Sequence, residues 1–204
     1  MRNSFPAMMA SMLVFALAGF ARAADSNPDE KGFIRNWLLL APITLGSDNN
    51  GGEEIDKELI RDEGKIKPKE GEKIKVGDKE LVWKAVKTTD YFFDVNEILG
   101  TQTENSAAFA VAYIVCDNDM KGLQLAMGSN DQGKVYLNGK EVVKFTDTRT
   151  LEEDSDTADN ITLNKGVNVL VFKVINETNN WQGCLRFKKK DGTPVKDYKV
   201  QLTP

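Results

Sequence analysis

The chain has 204 residues, a formal charge of −4 and no histidine, a size that fits one domain built on a single core. Without histidine, Ser-His-Asp and Cys-His nucleophilic catalysis, histidine zinc sites and most general bases poised near neutral pH are excluded. The acid excess, which grows from −4 to −6 when Arg2 and Arg22 leave with the leader described next, gives no long-range attraction for nucleic acid or an anionic membrane surface.

Residues 1–23, "MRNSFPAMMASMLVFALAGFARA", place Arg2 before an apolar run and end on Ala21-Arg22-Ala23, the small-x-small pattern of a signal-peptidase site. The reading is an exported chain, periplasmic or extracellular, whose mature part begins at Ala24. No later apolar run reaches the roughly 20 residues of a membrane-spanning helix, so no transmembrane segment is expected after cleavage. Residues 24–32, polar and proline-containing, read as a disordered terminus, and 33–204 as one domain.

"FIRNWLLLAPITLG" carries a compact apolar block that Pro42 prevents from continuing as a helix, so it reads as an edge strand with Trp37 in the core. "SDNNGGEEIDKELIRDEG" is a loop followed by a short amphipathic helical turn around Ile55, Leu59 and Ile60. From Lys73 the period becomes two, and Gly77-Asp78 joins "KIKV" to "KELVWK" as a tight hairpin, with Trp83 facing the core. In "DYFFDVNEILG", Asp94 caps and Gly100 stops a single helical turn.

"AAFAVAYIVC" and "GLQLAMG" are strands, the first alternating Phe109, Val111, Tyr113 and Val115 against small residues. Asn138-Gly139 and Asp191-Gly192 mark two further hairpins. The run from Val169 to Ile175 is apolar except at Lys173, which suits a central strand covered on both faces. Short strands between turn signals, with almost no helical periodicity, predict an all-β sandwich of antiparallel strands with one or two short helical turns. The lysine-rich pieces "KIKPKEGEKIKVGDKE" and "RFKKKDG" read as solvated surface.

Cys116 and Cys184 are the only cysteines. An even count in an oxidising compartment predicts a disulfide, worth roughly 4 kcal/mol in the chain-entropy model; two buried free thiols are the alternative.

"GSNDQGK" lacks the spacing and the following helix of a phosphate loop. The acidic loop "LEEDSDTADN", with Glu152, Glu153, Asp154, Asp156 and Asp159, lacks the spacing of an EF-hand. Paired carboxylates across a cleft are the one catalytic chemistry left open, and nothing in the pattern places them so.

The stretch "GSNDQGKVYLNGKEV", with "WLLLAPI", "DYFFDVNEILG", "AVAYIV", "LNKGVNVLVFKV" and "WQGCLRF" in that order from about Trp37 to Phe187, resembles secreted bacterial β-jelly-roll domains of the galactose-binding-like and protective-antigen type. The resemblance implies a jelly-roll fold and a non-catalytic, carbohydrate-binding module of the kind often appended to glycoside hydrolases. In some members of that type an aspartate pair holds calcium. Here Asn130-Asp131-Gln132 stands where the pattern has Asp-Asp-Gly, so Asn130 and Asp131 can still offer oxygens to calcium, with one charge fewer. No cofactor is required by this reading.

Sugars present apolar C–H faces to aromatic rings and hydroxyls to carboxylates and amides. Trp181, in the polar loop "INETNNWQGC", is the expected platform, with Asn179, Asn180, Gln182 and Asp131 as hydroxyl partners. The alternative function is a structural or protein-interaction domain of the cell envelope or extracellular matrix.

Overall fold

A computed structural model describes residues 25–46 and 50–204. The leader expected at 1–23, the Ala24 start and positions 47–49 of the first polar loop lie outside the described residues.

The fold is an all-β sandwich. Its larger sheet runs in the order β4 (Lys84–Lys87), β1 (Asn36–Thr44), β6 (Ser106–Cys116), β11 (Gly166–Asn176), β8 (Gly133–Leu137) and β9 (Lys140–Phe145), with β13 (Lys199–Gln201) also paired to β6. The smaller sheet runs β10 (Asp156–Leu163), β7 (Met120–Asn130), β12 (Gln182–Lys188) and β5 (Phe93–Asp94). Every pairing between these strands is antiparallel. From β6 to β12 the chain passes repeatedly from one layer to the other, the connectivity of a jelly roll. The glycine-containing turn of "GSNDQGK" is one such crossing, between β7 and β8. Asn138-Gly139 closes the β8–β9 hairpin as expected, with both residues at positive φ (52° and 83°).

Side-chain alternation on β6 explains the packing. Its small residues Ala108, Ala110 and Ala112 face the smaller sheet, where Trp37, Phe93, Leu125, Met127, Phe172, Leu185 and Phe187 fill the space between layers. Its large residues Phe109, Val111 and Tyr113 face the other way. That outer face is covered by residues 50–83, which contribute Ile55, Ile60 and Trp83 to a second core. The molecule thus has a third layer that period-two patterning alone did not announce. Burying each of these large side chains contributes on the order of 1.5–3 kcal/mol.

The covering segment holds α1 (Gly51–Glu54), capped by Asn50, a 3₁₀ turn over Glu63–Lys65, and the hairpin of β2 (Lys73–Val76) and β3 (Lys79–Val82) across Gly77-Asp78. The helical turn expected around Ile55, Leu59 and Ile60 falls between α1 and the 3₁₀ turn. α2 (Val95–Leu99) forms where expected: the Asp94 carboxylate accepts from Glu97 N at 3.1 Å and Gly100 adopts φ 69°.

Four expectations are corrected. β1 lies between β4 and β6, but β4 pairs only Asn36–Leu39, so Pro42 sits where β1 has no neighbour on that side. Residues 25–32 are docked and not disordered: Ser26 and Val200 exchange backbone hydrogen bonds of 3.0 and 2.7 Å, and the Asp29 carboxylate accepts from Phe33 N and pairs with Arg35 at 3.0 Å. The Asp191-Gly192 turn brings Pro194 back beside Lys188 for a single bridge, after which the chain crosses to the larger sheet as β13. The cysteines are free and buried: Cys116 follows Ala112 and Ile114 into the inter-sheet core, whereas Cys184, one residue out of step with Leu185 and Phe187, faces outward from β12. They point to opposite sides of the smaller sheet.

Candidate functional site

Trp181 is wholly buried, its indole N–H donating to the Val174 carbonyl at 3.2 Å. It shares the inward phase of Gly183, Leu185 and Phe187 and packs in the inter-sheet core, so it offers no face to a ligand. This corrects the expected platform. Asn179 and Asn180 are exposed, but their carbonyls are engaged. Asn179 O accepts from the Asn96 side chain at 2.8 Å and from Gln102. The Asn130 side-chain amide faces the carbonyls of Asn180 and Arg149, and oriented with its nitrogen toward them it donates to both, at 2.9 and 3.1 Å.

Asp131 is nearly buried, and its two oxygens accept from Glu177 N (2.9 Å) and Arg149 N (3.4 Å). Burial pushes its pKa up, against those backbone bonds. Asn130 and Asp131 therefore spend their polar groups in tying three loops together, and this donor set does not fit a calcium ion, which needs six to eight oxygens turned toward one point.

The acidic loop at 152–159 is likewise committed. Asp154 receives Arg186 at 2.8 and 2.6 Å and Lys188 at 2.8 Å, Asp156 pairs with Arg149, Glu153 with Lys31 at 3.4 Å, and Asp159 accepts from Gln124 at 3.0 Å. Burial alone would raise the Asp154 pKa; the bonds from Arg186 and Lys188 more than cancel it and leave the pKa lowered. Instead of a metal cradle, the loop is a latch across the outer face of the smaller sheet.

A hollow of about 220 Å³ is lined by Asp56, Glu58, Asp62, Glu63 and Tyr136, among others. Three of its acids are engaged by neighbouring groups. Asp56 is held at about 2 by its bonds from Lys134 and Lys144, Glu63 accepts from Leu59 N (3.1 Å) and Tyr136 OH (2.9 Å), and Glu58 caps Asp62 N. The general acid of a glycosidase must be held protonated near neutral pH, which Asp56 is not.

The arrangement best suited to a ligand is the loop Thr88–Phe92, "TTDYF", between β4 and β5. It is stiffened locally: Thr88 N donates to Arg35 O at 2.9 Å, Thr88 Oγ1 to Asp90 O at 2.9 Å, and Tyr91 N to the Asp90 carboxylate at 2.8 Å. Of the three consecutive aromatics, Phe93 enters the core while Tyr91 and Phe92 stay half-buried. The two rings meet edge to face at 5.1 Å, and Tyr91 leans on Phe33 at 5.2 Å. On one side lies a hollow of about 260 Å³ lined by Lys87, Thr88, Asp90, Phe92, Asp94 and Glu97. On the other lies one of about 320 Å³ lined by Asp29, Lys31, Arg35, Thr89 and Tyr91. Gln182 braces the first from behind, donating to Asp94 Oδ2 at 2.9 Å; of the residues expected at the site, it alone reaches this one. The sequence signal for Tyr91 and Phe92 is an aromatic run inside a polar turn that leads into the α2 cap. No protein-family profile and no curated protein matches the chain.

Proposed function

We propose that the chain is an exported, non-catalytic binding module for carbohydrate, and that the Thr88–Phe92 loop is its binding edge. The observation that carries this reading is the pair of half-buried rings, each lining one of two hollows edged by charged and hydroxyl side chains. Tyr91 and Phe92 supply faces for sugar C–H groups, and Thr88, Asp90, Asp94, Glu97 and Arg35 supply acceptors and donors for hydroxyls. Hollows of this size fit one or two sugar units rather than a buried drug-like ligand.

The rival reading, a protein-interaction domain of the envelope or matrix, asks for a contiguous apolar patch of several hundred square ångströms. Val167 is the one large hydrophobic side chain that is exposed among the described residues, which favours sugar over a flat protein contact.

Glycan-array screening followed by calorimetry on the best hit tests the proposal. Tyr91→Ala/Phe92→Ala is expected to weaken binding about tenfold or more, the equivalent of about 1.4 kcal/mol. Undiminished binding by that folded variant, or no hit on a broad array, removes the site.

A further inference from the structure

The 62–67 strap crosses the β8–β9 turn at very close range. A β-carbon on Gly64 would come within 2.7 Å of the Tyr136 ring, and one on Gly139 within 3.1 Å of Lys65 Cγ. The strap is held from below by Glu63, which accepts from Tyr136 OH, and from its far end by Tyr113, whose hydroxyl donates to Pro68 O at 2.7 Å. Just beyond its edge the outer face of the larger sheet is left partly uncovered. There Val167 is 47% exposed beside the buried Val169. The result is a hollow of about 430 Å³ with Val167 and Val169 as its floor and Lys65 and Lys67 on its rim.

We infer that this hollow binds a small carboxylate bearing an apolar, medium-length tail. The volume lies in the range of small-ligand sites, and both charged side chains lining it are cationic in a chain whose overall charge is negative. Opposite charge lies next door: the hollow around Asp56, Glu58 and Asp62 shares Gly64, Lys65 and Gly139 with this one. Those acids adjoin the side that Lys65 shares, so like-charge repulsion sets an anionic head toward Lys67, with Lys65 screening it from them, and the tail covers Val167. The concave shape favours a single free ligand over a lipid surface. This site lies apart from the Thr88–Phe92 loop and does not depend on the carbohydrate reading.

Three probes with one tail and different heads test it: octanoate, octylammonium and octanol, each titrated into the folded protein with methyl NMR of Val167 and Val169 as readout. Octanoate is expected to shift both residues saturably, and octylammonium is expected to bind at least about tenfold more weakly. Lys65→Glu/Lys67→Glu, at two exposed positions, is expected to weaken octanoate about tenfold while leaving the far-ultraviolet spectrum unchanged. Val167→Asp should do the same through the floor. Absence of a saturable shift, equal binding of octylammonium, or indifference to the charge reversal each overturns the inference.

Discussion

The ammonium of Lys173 and the carboxylate of Glu63 face each other at 3.4 Å in the interior, the lysine completely out of water. Lys173 also donates to the carbonyls of Glu54, Ile55 and Lys57 at 3.2, 3.2 and 2.6 Å. A cation in the middle of central strand β11 thus gathers the open end of α1 and the 3₁₀ turn, and so fastens the covering layer to the sheet. Burial lowers the lysine pKa, and the charge of Glu63 works against that shift. Lys173→Met leaves the carboxylate and three carbonyls without their partner, so it is expected to cost about 3 kcal/mol in urea unfolding. Glu63→Gln added to it should cost clearly less than the sum of the two single changes. Strict additivity would mean that the pair is not a unit.

Asp56 bridges Lys134 and Lys144, and their bonds lower its pKa from 3.8 to about 2. The folded value lies below the unfolded one, so as pH falls the unfolded chain takes up the proton first. The stabilisation is complete above pH 3.8 and is lost as pH drops through about 2. Because the Asp56 side chain is 52% exposed, solvent screening limits its worth to about 0.5–1 kcal/mol. Unfolding curves collected across that interval should show a shallower fall for Asp56→Asn than for the wild type. Parallel curves would remove the assignment.

The two thiols make a sharper chemical prediction. Burial pushes Cys116 up to about 11 and Cys184 up to about 12, so both are protonated and shielded at neutral pH, the state in which cysteine is inert. A thiol reagent at pH 8 should therefore find almost nothing in the folded protein and two groups per chain after denaturation. The melting temperature should not respond to reductant. Finding no titratable thiol in the denatured chain would restore the disulfide.

What was legible in the sequence was local. Gly77-Asp78 and Asn138-Gly139 specify hairpins through the positive φ their turns require, and Asp94 with Gly100 brackets α2 through backbone groups only a few residues away. What was not legible depended on partners distant in sequence. Nothing within residues 50–83 states that they fold over β6 and β11. The lone lysine in the apolar run of β11 was the clue that something polar covered that face, and its partners, Glu54 to Glu63, lie more than a hundred positions upstream. Neighbouring asparagines made Trp181 look like a rim residue, yet its two-residue phase with Gly183, Leu185 and Phe187 already pointed inward. The same phase separates Cys184 from Cys116. Tyr91 and Phe92 are not marked by pattern, because three successive aromatics give no face by themselves; only the docking of Phe93 against Trp37 and Phe172, at 5.7 and 5.8 Å, leaves the other two half-buried at the edge.

Trp181 separates stability from recognition. Trp181→Phe keeps most of the apolar volume but removes the indole N–H bond to the Val174 carbonyl, a loss of about 1 kcal/mol. Trp181→Ala opens a cavity between the sheets and is expected to cost about 3–5 kcal/mol. If the binding edge is the Thr88–Phe92 loop, Trp181→Phe measured well below its melting temperature should retain wild-type affinity for any glycan whose binding is weakened by Tyr91→Ala/Phe92→Ala. The reverse pattern, with affinity lost on Trp181→Phe at unchanged fold and retained on loss of the two loop rings, would mean that the chain opens to present its buried indole, and would move the ligand to the loop around Asn179 and Asn180.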